Sequence, residues 1–208
     1  VLPEPRRDTK QELYNGDIDY GSRYLRDSIH EYILLLWLLG AAATLALNLA
    51  GYMRFTKCLK QGNRPAGEEI RILHSLTKGR KNIRLMRNRF VSTPILIGII
   101  RPQIIIPDMD FDERELKNIL IHEISHLKRF DIAVKWLTMA AASVHWFNPL
   151  MPIIRKEVNR ACELACDEAA IRNFSIEEKQ AYGSTLISVA AEHKYPAGVI
   201  QATMCEEK

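Results

Sequence analysis

The chain has 208 residues, enough for one or two domains with a buried core. Hydrophobic residues make up 47% and charged residues 26%, which is ordinary for a globular protein, but the apolar residues gather into two long runs. The net charge of +4 is modest, and four cysteines without a C-x-x-C pair exclude a small disulfide scaffold.

The chain begins at Val1 rather than Met and ends Cys205-Glu206-Glu207-Lys208, which reads as a fragment of something longer. Residues 1–31 read as a polar pre-membrane segment. Its first 28 residues carry Pro3, Pro5 and the turn-like Asn15-Gly16-Asp17, so a loop or weakly ordered approach is expected. They hold no early apolar region of the signal-peptide kind.

Residues 32–53 then run from Tyr32 to Met53 without a charge. As a helix they span roughly 33 Å, enough to cross a bilayer core. Tyr32, Trp37 and Tyr52 lie toward the ends, as interfacial aromatics do. Asn48, the strongly polar interior residue, is expected to face another helix. Arg54, Lys57, Lys60 and Arg64 follow the run, against Arg23 and Arg26 before it. That asymmetry places the C-terminal side in the cytoplasm, and free thiols at Cys162 and Cys166 suit a reducing compartment.

Residues 54–208 then form a cytoplasmic, membrane-proximal domain. Residues 55–78 read as a helix, with Ile70, Leu73 and Leu76 at helical spacing. Lys78–Arg89 is basic with no acid, and no aromatic side chain interrupts it. It reads as a strand and turn near anionic lipid, with no direct nucleic-acid partner expected. Val91–Pro107 is β-branched and broken by Pro94, Gly98 and Pro102, so short strands joined by a turn are expected. The prolines point to an edge strand near Ile95–Gly98, onto which an extended peptide can add.

Asp112 and Glu115 form a capping box that opens a helix carrying His122-Glu123-Ile124-Ser125-His126. Two histidines four apart share a helix face and can bind one metal ion, and a glutamate beside the first can act as a base on a water there. Residues 132–154 form the second apolar run. They carry Lys135 and His145 and break at Asn148-Pro149, which reads as an interfacial or re-entrant helix and a sharp turn. Arg155–Asn173 and residues 174–195 read as two more helices, the second capped by Ser175 with Glu178.

A catalytic zinc site needs a third protein ligand. The helix at 160–170 offers Glu163, Cys166, Asp167 and Glu168. Glu163 and Asp167 share a face, so one can bind the ion while the other orients a histidine. Position alone does not choose between them. Asp131 is a further candidate to orient a histidine, and His145 and Tyr182 are candidates to stabilise an oxyanion.

Taken together, His122–Asp131, Trp146-Phe147-Asn148-Pro149-Leu150 and Glu163-Leu164-Ala165-Cys166-Asp167-Glu168-Ala169 resemble the BlaR/MecR-type antirepressor metallopeptidases. Thr93–Gly98 and Pro102–Pro107 resemble that family's strand segment. The resemblance implies a mostly α fold with a small β-sheet (α+β), a membrane-anchored, gluzincin-like zinc peptidase. It implies Zn2+ held by His122, His126 and Glu163, with Glu123 as general base and Asp167 behind a ligand. It further implies a bacterial cell-membrane receptor with a cytoplasmic peptidase domain. Such a receptor cleaves a transcriptional repressor and sometimes itself. The expected partners are that protein substrate and the lipid bilayer, with a homodimer as one option. The competing reading is a non-catalytic membrane scaffold that retains the motif.

Overall fold

The structure is a computed structural model that describes residues 7–77 and 83–191. Helix α1, Arg7–Gly62, is followed by β1 (Asn63–Pro65), α2 (Glu69–Leu76), β2 (Arg84–Asn88), β3 (Ile95–Ile97) and β4 (Gln103–Pro107). Helices α3 (Glu113–Arg129), α4 (Asp131–Val144), α5 (Met151–Ile171) and α6 (Ile176–Ala191) complete it. The chain is mostly helical with one small mixed sheet, as expected.

The sheet has the order β1-β2-β4-β3. β2 and β4 run parallel, while β1 and β3 are antiparallel to their neighbours. β4 is buried on both faces, which suits a run of isoleucines. Ile104 and Ile106 pack with Leu73, Leu85, Leu116, Ile119 and Leu120 beneath α3. Ile105 points the other way, to Leu59 and Val91 near the end of α1. This alternation follows from the two-residue period of a strand. β3 is an edge, as the prolines indicated. Its turn into β4 uses Gly98 at φ +84°, where an added Cβ would lie 2.6 Å from the Arg101 carbonyl oxygen.

Several boundaries differ from the expectation. The segment expected as a loop before residue 28 is helical from Arg7, because extending an existing helix avoids the cost of a new nucleus. The helix expected over 55–78 is instead the end of α1, then β1, then α2. Gly62 ends α1 against β2, where a Cβ would meet the Phe90 ring at 2.5 Å. Pro65 then bars continuation. Buried Asn88 ties this junction together. Its Nδ2 donates to the Leu59 carbonyl at 2.7 Å and to Asn63 Oδ1 at 2.6 Å, and its Oδ1 accepts from the Phe90 N–H at 2.7 Å.

Part of the basic run, 78–82, lies outside the described residues. Within it, Arg87 turns inward and donates from Nε to Glu69 at 2.8 Å, with Asp108 3.7 Å from its Nη1. The second apolar run is two helices meeting at the turn 145–150. α4, at 14 residues, is about 21 Å long and too short to cross a bilayer. The expected helix over 174–195 is α6, with residues 192–195 outside the description. Its cap holds, since the Glu178 carboxylate accepts from Ser175 N–H at 2.8 Å.

Among the described residues one helical stretch, Ser28–Gly62, is long and apolar enough to cross a membrane. Ile33, Leu34, Leu35, Leu36, Leu38 and Leu39 on it are exposed. α4 packs antiparallel against this stretch. Tyr52 meets Trp136 edge-on at 5.0 Å. Trp37 Nε1 donates to the Val144 carbonyl at 3.0 Å, and Thr44 Oγ1 to the Ser143 carbonyl at 3.2 Å. Asn48 donates to Thr44 of its own helix at 2.8 Å. Gly40 admits the Trp146 indole, with an added Cβ only 2.2 Å from that ring. Gly40→Ala is therefore expected to displace Trp146 and cost about 1–3 kcal/mol. Thermal unfolding and tryptophan emission of detergent-solubilised protein measure this. Gly51→Ala, with nothing within 4 Å of the added Cβ, is the control that leaves tryptophan emission unchanged and does not lower stability.

Candidate metal centre

Helix α3 carries the two histidines. Its start is fixed by the capping box, in which the Glu115 carboxylate accepts from the Asp112 N–H at 3.2 Å. Its end is a left-handed turn at Phe130, φ 58°, an uncommon conformation for a bulky residue. The turn starts α4 at once with Asp131 and points that carboxylate back along α3. Asp131 Oδ2 lies 2.7 Å from His126 Nδ1, and both residues are buried.

His122 is anchored from the other side. Its Nδ1 lies 3.1 Å from Asp167 Oδ1 and 2.9 Å from the Tyr182 hydroxyl, which itself donates to Asp167 Oδ1 at 2.9 Å. With both Nδ1–H groups donating to these partners, both Nε2 lone pairs are turned inward. They face each other at 3.1 Å. Glu163 Oε2 joins them, 3.2 Å from His126 Nε2 and 3.6 Å from His122 Nε2.

Three acceptors at those separations repel unless a cation sits among them. A tetrahedral zinc site with bonds of about 2.0–2.1 Å has ligand–ligand edges of about 3.3 Å. The donor set and spacing fit such an ion. Cys166 offers another grouping, since one ligand atom each of His122, His126 and Cys166 lie within 4.8 Å of one another. Its Sγ sits 3.8 Å from His122 Nδ1 and donates to the His122 carbonyl oxygen at 3.3 Å. It thus lies on the Nδ1 side of the His122 ring. Cys162 and Cys166 are both free and buried.

The electrostatics agree with a cation-seeking cage. Burial opposes charging His122, but Cys166 and Glu163 outweigh it and push its pKa up to about 10. His126, with the same opposition from burial and the same partners plus Asp131, is pushed up to about 11. The two histidines hold the Glu163 carboxyl well below the usual carboxylate range. Burial raises that of Glu123. Burial and Asp167 raise the Tyr182 phenol. Glu123 is buried beside the pair and makes no hydrogen bond among the described residues.

His122, Glu123, His126, Asp131 and Glu163 line one cleft of about 620 Å³. Ile95–Gly98 of the β3 edge forms one wall, and Tyr52, Trp136 and Met139 form another. The structure thus brings His122, Glu123, His126, Glu163 and Asp167 together, with Asp131 where the sequence allowed it. Tyr182 lies behind His122, so it orients Asp167 and the ring and does not face the cleft as an oxyanion donor. His145 caps α4 in the exposed turn and is not part of the cleft wall. Lys135, 3.5 Å from Glu163 Oε1, was not singled out for the site. Its position one α4 turn after Asp131 was the available signal.

A family model described as BlaR1 peptidase M56 matches residues 10–208. The chain belongs to that family. It is 28% identical over 174 residues to the regulatory protein BlaR1 of Bacillus licheniformis, covering 81% of this chain and 29% of that protein. It is 22% identical over 172 residues to the methicillin resistance mecR1 protein of Staphylococcus aureus, covering 80% of this chain and again 29% of the relative. The chain therefore spans under a third of the length of these relatives, and what it shares with them is the peptidase-family domain.

The raised histidine pKa values have a measurable consequence. The folded values lie above the usual 6.5, so at neutral pH the cage holds protons that an entering divalent ion must displace. Metal affinity is expected to rise with pH through the neutral range and up toward those values, with protons released on binding. Calorimetric titration in buffers of different ionisation enthalpy reads that release directly. Asp131→Asn should weaken metal binding about 10- to 100-fold, since it removes the acceptor that fixes His126.

Proposed function

We propose that this chain is the zinc endopeptidase unit of a bacterial membrane signalling receptor. His122, His126 and Glu163 hold the ion, Glu123 is the general base, and Asp131 and Asp167 orient the two imidazoles. The observation that carries this reading is the convergence of the two Nε2 atoms and Glu163 Oε2 in a cleft that also holds a strand edge. Two nitrogens and one carboxylate oxygen are a donor set suited to catalytic zinc. Glu163 is the better third ligand than Cys166, whose thiol is turned to the His122 carbonyl.

Bound there, zinc supplies a Lewis acid that polarises a peptide carbonyl and acidifies water. Every other task falls to side chains and backbone. The β3 edge pairs with an extended substrate segment and holds its scissile bond along the cleft. Glu123 takes a proton from water and passes it to the leaving amine. Burial brings the Glu123 pKa upward, toward the range in which a carboxylate can both accept and return a proton near neutral pH. Asp131 and Asp167 keep each Nδ1 protonated, so each Nε2 stays a ligand. Tyr182 locks Asp167 from behind.

The apolar stretch of α1 is read as a transmembrane helix, with the peptidase unit on the cytoplasmic side, a reading supported by the basic flank Arg54–Arg64. The substrate is then a cytoplasmic protein, and the family resemblance favours a transcriptional repressor, with self-cleavage as an additional event. Glu123→Gln keeps the shape and removes the base. It should retain metal at the wild-type level while hydrolysis of a fluorogenic peptide library falls by about 10²- to 10⁴-fold. Hydrolysis at the wild-type rate would reject the assignment, and loss of both metal and activity would reject the division of roles.

A further inference from the structure

The turn from β3 into β4 is Gly98-Ile99-Ile100-Arg101. Both isoleucines are exposed, Ile100 to 92%. We propose that this hairpin tip is a second membrane contact, inserted where head groups meet acyl chains on the side on which α1 leaves the bilayer. The inference rests on reading the apolar stretch of α1 as membrane-spanning.

The depth follows from packing against α1. Ile95, Ile97 and Ile105 of the hairpin pack with Phe55 and Leu59. These two lie beyond Met53, where the uncharged run ends and Arg54 opens the basic flank. The tip lies farther back along α1. It shares a shallow space of about 540 Å³ with Tyr52 and Trp136. The hairpin therefore points from the charged flank toward the apolar stretch, and its end reaches α1 at the penultimate residue of the run. Tyr52 and Trp136 meet edge-on at 5.0 Å, and aromatic side chains of this kind gather at the membrane–water boundary.

The chemistry of the tip fits that depth. Two adjacent isoleucines gain free energy when they leave water. Exposed Arg101 follows them and offers a cation to lipid phosphate. Gly98 lines the metal cleft with the β3 edge, whereas Ile99 and Ile100 do not. The two isoleucines are thus left out of the wall that would hold a peptide. Their insertion holds the β3 edge beside the membrane surface, so a substrate segment reaches that edge along the surface.

The test uses the full chain in lipid nanodiscs. The photoreactive residue p-benzoylphenylalanine replaces Ile100, Ile176 or Leu39 in turn, and adducts are identified by mass spectrometry after irradiation. Ile176 is 74% exposed on α6, which packs on α3 and α5. Leu39 is exposed within the apolar run. Lipid adducts are expected at positions 39 and 100 and not at 176. Ile99→Asp should lower the lipid adduct at 100 about tenfold, the factor lost with one buried apolar side chain, and leave the adduct at 39 unchanged. A yield at 100 unmoved by Ile99→Asp would trace the adduct to the probe's own apolar bulk and overturn the proposal. Crosslinking of position 100 to a second copy of the chain in place of lipid would overturn it in favour of a protein interface. Adducts at 39 with none at 100 would reject the tip contact alone, whereas no lipid adduct at 39 would reject the membrane reading itself.

Discussion

Three Lewis bases face one point in this protein: Nε2 of His122, Nε2 of His126 and Oε2 of Glu163, separated by 3.1, 3.2 and 3.6 Å. Like partial charges held that close are unfavourable in a half-buried setting unless a proton or metal ion lies between them. Much of the fold serves to hold them there. α3 fixes the histidines one turn apart, the left-handed Phe130 swings Asp131 behind one ring, and α5 brings Asp167 behind the other. Cys166, donating to the His122 carbonyl, ties α5 to α3 at the level of the site.

The sheet and α1 decide what can approach. β4 fills the core on both faces and leaves β3 as the edge beside the cleft. Asn88 ties the end of α1 to that sheet, so Tyr52 of the apolar helix becomes part of the cleft wall. A long apolar helix and a metal cage are thereby built into one unit. Opposite the sheet, α4 returns along α1 and α5 leads back to the site. The turn between them exposes Phe147 and Leu150.

Much of the site was legible in the sequence because its geometry is local. His122, Glu123 and His126 lie on one helix, and helical spacing fixes their relation before any tertiary contact is known. The capping boxes at Asp112 and Ser175 were legible for the same reason. The third candidate ligand, Glu163, came from the family resemblance and not from spacing. Glu163, Cys166 and Asp167 share a helix, and only the rotation of α5 against α3 separates the atom facing Nε2 from those facing Nδ1. Tyr182 shows the same limit, since its hydroxyl ends behind His122 through the packing of α6, which no spacing encodes. The break at Gly62 was missed because its cause is Phe90, 28 residues away in sequence. The helix before residue 28 was missed because turn-forming residues were weighed locally, without the long helix that extends through them.

The central claim is that zinc sits on two imidazole nitrogens and the Glu163 carboxylate. X-ray absorption at the zinc edge of the purified, metal-loaded protein tests it most directly. The expected spectrum has a nitrogen and oxygen shell at about 2.0–2.1 Å and no sulfur scatterer. A sulfur shell at about 2.3 Å would put Cys166 on the metal and contradict the account.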